Sequence, residues 1–96
     1  MWGNLHHIAF CQMKPKRLTS AQIRAARALL RWSAVDLAEA SSVAANTIRR
    51  AEVADGPTTL TAANDLVIRR AFEEAGVVFI EENGDGAGVR LRKRSG

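Results

Sequence analysis

Apolar residues recur at helical spacing in four stretches of the chain, each marked by punctuation residues at its ends. Leu18-Thr19-Ser20-Ala21-Gln22-Ile23 reads as a helix start, with Thr19 as N-cap, Gln22 completing a capping box, and Leu18 and Ile23 at the flanking staple positions. Ile23, Ala26 and Leu30 continue the apolar stripe, Arg24, Arg27 and Arg31 lie on another, and the helix is expected to run to Arg31 or Trp32. The signal then repeats: Ser33 is an N-cap, Asp36 stands at the third helical position, and Trp32 and Leu37 can form a staple. This predicts a short helix over 34–40, a break at Ser41-Ser42-Val43, and a third helix over 45–53 with Val43 and Ile48 as its staple pair.

After a turn at Ala54-Asp55-Gly56-Pro57-Thr58, a fourth helix is expected over 60–75. Leu60, Ala63, Val67 and Ala71 form its stripe, with Ile68, Phe72 and Ala75 adjoining and Gly76 as the C-terminal stop. The period then changes. Val77-Val78-Phe79-Ile80 is β-branched and aromatic, and Val89-Arg90-Leu91-Arg92 alternates apolar with basic, so the two read as strands of a hairpin. Asn83-Gly84 and Asp85-Gly86 are both turn dipeptides, which leaves the register open. The expected architecture is mainly α: a compact helical bundle over 18–75, a short C-terminal β-hairpin over 76–92 and a basic tail over 93–96, preceded by a flexible extension over 1–17. Met13 is a second candidate start, which would make residues 1–12 an upstream artefact.

Composition narrows the class. A chain of 96 residues that is 47% hydrophobic and 25% charged is a globular composition with material for one small core. The single cysteine, Cys11, excludes an internal disulfide framework and a cysteine-based zinc site, and a lone thiol fits a reducing cytoplasm. No apolar run is long enough to span a membrane, and the start of the chain lacks the charged and apolar regions of a secretory signal. His6 and His7 are not read as metal ligands, and neither metal nor cofactor is expected. Glu73-Glu74 and Glu81-Glu82 are adjacent carboxylates that point apart, Cys11 has no His or Asp partner in the pattern, and no glycine-rich loop opens a helix. The sequence therefore gives no support to an enzyme.

Charge changes the picture further. The net charge is +4, from 14 Lys and Arg against 10 Asp and Glu, and it is unevenly placed. Residues 14–52 are strongly basic, residues 53–88 are acidic, and Arg90, Arg92, Lys93 and Arg94 close the chain. A basic half suits a polyanion.

Two short helices joined by a tight break inside that basic half suggest a helix-turn-helix. Counted from Ala34 as the first of twenty positions, the fifth must be small because the second helix crosses close there, and Ala38 supplies it. Leu37, Val43 and Ile48 supply the apolar contacts of the motif core. This stretch resembles the Cro/repressor-like helix-turn-helix family, the XRE family of bacterial transcription regulators, with its lambda-repressor-like DNA-binding domain. The likeness rests on Ala28-Leu29-Leu30-Arg31-Trp32-Ser33, Asp36-Leu37-Ala38-Glu39-Ala40, Val43 and Thr47-Ile48-Arg49-Arg50-Ala51-Glu52, and extends over about residues 18–72. Departures are Ala34 where many members have Gln, Ser42 where many have Gly, and Ala44 where many have a Ser or Thr cap.

The resemblance implies that the helix over 45–53 enters the DNA major groove. On that geometry Ala45, Asn46 and Arg50 are the base-contacting candidates, since Asn pairs bidentately with adenine, Arg with guanine, and a methyl can touch thymine. Thr47, Arg49, Arg24, Arg27 and Arg31 are the candidates for phosphate contact. The expected function is a sequence-specific transcriptional regulator, a repressor acting in the cytoplasm as a homodimer on double-stranded DNA. The alternative is an antitoxin-like or other interaction module that binds a protein partner through the fourth helix and the hairpin.

Overall fold

The computed structural model describes residues 17–54, 58–81 and 84–93. The extension over 1–16, the centre of the 54–58 turn, Asn83 and the end of the basic tail lie outside the described residues. The elements are α1 (Ser20–Leu30), α2 (Ala34–Ser41), α3 (Ala45–Val53), α4 (Ala62–Glu74), β1 (Val77–Ile80) and β2 (Gly88–Leu91). The described chain is thus mainly helical with one small antiparallel hairpin.

Local chemistry sets most of these boundaries. Thr19 and Gln22 form the reciprocal capping box that opens α1, with the Gln22 amide donating to the Thr19 hydroxyl oxygen at 3.1 Å and the Thr19 amide to the Gln22 side chain at 3.0 Å. Ser33 and Asp36 repeat it at α2. The first helix ends at Leu30, earlier than the expected Arg31 or Trp32. Arg31 adopts left-handed backbone (φ 58°), and the Arg31 and Trp32 amides donate back to Ala28 and Arg27 in a Schellman-type stop. Ser42 also closes α2 in left-handed backbone, at φ 64°, but with the simpler single bond from its amide to the Ala38 carbonyl at 2.8 Å. Ser41, expected in the break, is the last residue of α2, where its hydroxyl donates to the Leu37 carbonyl at 2.7 Å.

The fourth helix corrects the sequence reading. It begins at Ala62 behind an N-cap at Thr61, whose hydroxyl accepts from the Asn64 amide at 3.1 Å. Leu60 precedes the helix and enters the core from outside it, so it cannot set the phase of the helix's apolar stripe. The buried face is Asp65, Ile68, Arg69, Ala71 and Phe72, while Ala63 and Val67 lie on the exposed side. Gly76 stops the helix as expected, at φ 105°, a conformation that disfavours any side chain.

The core is formed by Leu18, Ile23, Ala26, Leu37, Ile48, Ala51, Leu60, Ile68, Phe72 and Val77, with smaller contributions from Ala34, Val43 and Ala71. Trp32 stacks on Phe72 at 5.9 Å between ring centroids, and Phe79 meets the same ring edge-on, so one aromatic links the α1–α2 connection to the hairpin. In the hairpin Val77 pairs with Leu91 and Ile80 with Gly88, and β2 starts one residue earlier than expected. The Gln22 side chain donates to the Gly88 and Ile80 carbonyls at 3.2 and 3.4 Å, joining the hairpin to α1. Arg17, expected in the loose extension, is tied to the body by a 2.8 Å bond to the Leu60 carbonyl, and the next amide, Leu18, donates to buried Asp65 at 2.9 Å.

Candidate nucleic-acid interface

Two elements position the residues singled out on α3. α1 and α2 both pack against it, and α2 leads into it through Ser42, Val43 and Ala44. Its inward face is Ile48, Ala51 and Glu52, all buried. Asn46, Arg49, Arg50 and Val53 stand three or four residues apart, so they share one stripe, and all four are exposed, Val53 to 81%. Ala45 and Thr47 flank the stripe and are half-buried. The Arg49 guanidinium donates to the Asn46 side-chain oxygen at 3.3 Å, bringing two of the predicted residues into direct contact. The N-cap Ala44 has suitable extended backbone (φ −60°, ψ 140°) but makes no side-chain cap bond.

The predicted supporting residues lie beneath this surface. Leu37, Val43 and Ile48 are buried, and Ala38 is half-buried against the core. Leu37 and Ile48 are fully enclosed, so packing beneath α3 helps to fix its course over its neighbours.

The arginines of α1 divide. Arg27, grouped with the phosphate candidates, is occupied within the protein. Its Nε and Nη2 hold the two Glu52 carboxylate oxygens at 2.6 and 2.7 Å, and its Nη1 donates to the Trp32 carbonyl at 2.8 Å. The bond to Glu52, opposed by burial and supported by the carboxylate charge, raises the Arg27 pKa above its ordinary value. Arg27 therefore drops out of the set. Arg24 is exposed, and its Nη1 donates to the Glu52 backbone carbonyl; Arg31 is exposed at the left-handed end of α1.

The sequence reading assigned Glu52 no role, yet it is the carboxylate on which α1 and α3 are joined. The Ser20 hydroxyl adds a second tie at 2.6 Å to the Ala54 carbonyl. Arg27 and Glu52 are far apart in sequence, and no local spacing rule pairs them. The one available signal was an acid on a helix whose other charges are all cations.

Among the described residues no group of His, Cys, Asp or Glu is placed to hold a metal ion, and no helix is long and apolar enough to cross a membrane. No known family model matches the chain, and no curated protein sequence matches it.

Proposed function

We propose that the chain is a sequence-specific DNA-binding regulator that reads the major groove with α3. The observation that carries this reading is the uncovered Asn46–Arg49–Arg50 stripe on a helix whose opposite face is locked by Ile48, Ala51 and the Arg27–Glu52 pair. A helix is narrow enough to enter the major groove, and its exposed side chains then lie at the level of base edges. In this reading α2 and α3 are the two members of a helix-turn-helix, with Ser42 supplying the left-handed residue between them.

The roles follow from donor and acceptor chemistry. Asn46 offers an amide that pairs with adenine, Arg50 a fork that pairs with guanine, and Ala45 a methyl for thymine. Arg49 braces Asn46 and, with Thr47, lies at the edge of the stripe where the phosphates pass. Arg24 and Arg31 complete the phosphate-facing set from α1. A reader this small gains affinity by pairing, so the protein acts as a homodimer on a palindromic operator and represses by occupying it.

The test is selection of duplexes from a random pool at two salt concentrations, with the full chain and its N46A/R50A variant. A single enriched sequence is expected from the parent chain. The variant should lose about 1–3 kcal/mol of discrimination per contact removed while its circular dichroism stays unchanged. Failure of any sequence to enrich, with the protein folded, overturns the reading.

A further inference from the structure

DNA reading leaves the hairpin without a task. Its hydrogen-bond phase can be derived. The Arg92 amide donates to the Gly76 carbonyl, so residues 76 and 92 stand opposite each other at a bonded position, although the Gly76 amide is taken by Glu73, and the bonded pairs alternate from there. Val78 with Arg90 and Ile80 with Gly88 are then the bonded pairs. The amides and carbonyls of Val89 and Leu91 face outward from β2, away from β1. Among the described residues the sheet has two strands, and none of those residues bonds the Val89 or Leu91 backbone from that side. Native proteins usually cover or obstruct such an edge.

The side chains along this edge have a definite chemistry. Val89 and Leu91 share the face of Phe79 and Val77 that meets the core. Val89 is half-buried against it, whereas Leu91, the outermost, is 46% exposed. Arg90 and Arg92 share the opposite face and are exposed, followed by exposed Lys93. The edge thus presents alternating apolar and cationic positions.

We propose that β2 accepts an extended segment of a partner protein as a third strand, one in which carboxylate side chains alternate with apolar ones. Its carboxylates would lie across from Arg90 first and from Arg92 second, since the Arg92 guanidinium also donates to the Glu73 carbonyl at 3.4 Å, and its apolar residues would continue the Leu91 face. A second copy of this chain fits poorly. Every antiparallel self-pairing that joins the Val89 and Leu91 groups sets Arg90 opposite or diagonal to its own copy, a like-charge contact. Duplex DNA also fits poorly, because phosphates take the arginines but offer no donor to the Val89 and Leu91 carbonyls. The inference does not depend on what α3 binds.

The test is an amide-resolved NMR titration of the full chain with a short capped peptide alternating valine and glutamate. The Val89 and Leu91 amides should shift and exchange more slowly with water. Arg90→Glu should weaken binding roughly fivefold and make the valine–lysine peptide the better ligand. A valine–glutamate peptide N-methylated along its backbone should not bind. The proposal is overturned if Val89 and Leu91 do not respond at saturating peptide, if the N-methylated peptide binds equally well, or if only duplex DNA moves the β2 resonances. Unchanged spectra for α1 and α4 in the Arg90→Glu protein establish that the variant is folded.

Discussion

α1 and α3 lie against each other, and both carry arginines on their polar sides, but the two helices treat them oppositely. On α1, Arg27 turns inward onto Glu52 and onto the exit of its own helix, and Arg24 reaches the Glu52 backbone. On α3, Arg49 and Arg50 remain at the surface, Arg49 bonded only to its neighbour Asn46 among the described residues. The ends differ in the same sense. α1 opens on a complete capping box and closes on a Schellman-type stop, whereas α3 opens on an uncapped Ala44. One helix is fastened at both ends and along its charged side; the other is fastened mainly by its apolar face. Net charge therefore overstates the surface available to a polyanion, because part of it neutralises an internal carboxylate.

The largest break in this comparison comes from removing Glu52. Glu52→Ala leaves Arg27 facing a buried gap without its counter-ion, which should cost about 2–3 kcal/mol of stability and lower the Tm on the order of 10 °C. Denaturant unfolding measures it. A loss under about 0.5 kcal/mol would mean that the pair contributes no more than a surface contact. The sign of the pH dependence also follows. The raised Arg27 pKa means that its contribution is fully present below the ordinary arginine range and is lost only as pH climbs through the higher folded value. The stability supplied from the Arg27 side should be flat across neutral pH, which an unfolding series from mildly acidic to mildly alkaline buffer checks.

The same contrast shows what the sequence made legible. Both capping boxes, the limits of α3 and the first strand follow from residues at most a few positions apart, and short-range chemistry decides them. The α4 face was misread in part because Leu60 looks like the start of its stripe, while Thr61 caps a helix that begins at Ala62; Ile68, Ala71 and Phe72 are buried as expected, but Asp65 and Arg69 join them in place of Ala63 and Val67. The polar residues that join elements were not legible at all. Gln22 was read as half of a capping box, and it also binds the hairpin. Asp65 was given no role, and it receives the Leu18 amide from across the bundle. Arg69 lies over the Phe79 ring at 5.0 Å and 3.7 Å from Glu81, a placement that depends on the hairpin folding back. Such pairings are fixed by tertiary geometry, which no spacing along one helix encodes.

A smaller effect sharpens the difference between the helix starts. Ala44 already has the backbone of an N-cap and is exposed, so Ala44→Ser needs no rearrangement to accept from the amides of the first turn of α3. The gain should be about 1 kcal/mol by denaturant unfolding. No gain would mean that the open end of α3 is already satisfied by water.

The smallest effect concerns Ser42, the left-handed residue between α2 and α3. It holds φ 64° with only a short polar side chain, while Arg31 holds nearly the same conformation, φ 58°, at the end of α1. Both positions carry the left-handed cost that glycine avoids. Ser42→Gly relieves it but frees the unfolded chain, so the net gain should be only about 0.5 kcal/mol. Arg31→Gly should gain a similar amount, and it also removes a cation from the proposed phosphate-facing set. The two variants therefore separate aim from charge. Ser42→Gly should leave DNA affinity and its salt dependence unchanged, because Val43 and Ile48 still hold α3 in place. Arg31→Gly should flatten the salt dependence by about one unit of slope. A loss of affinity in Ser42→Gly with its stability raised would show that α3 is aimed by the strained turn, and not by the buried contacts beneath it.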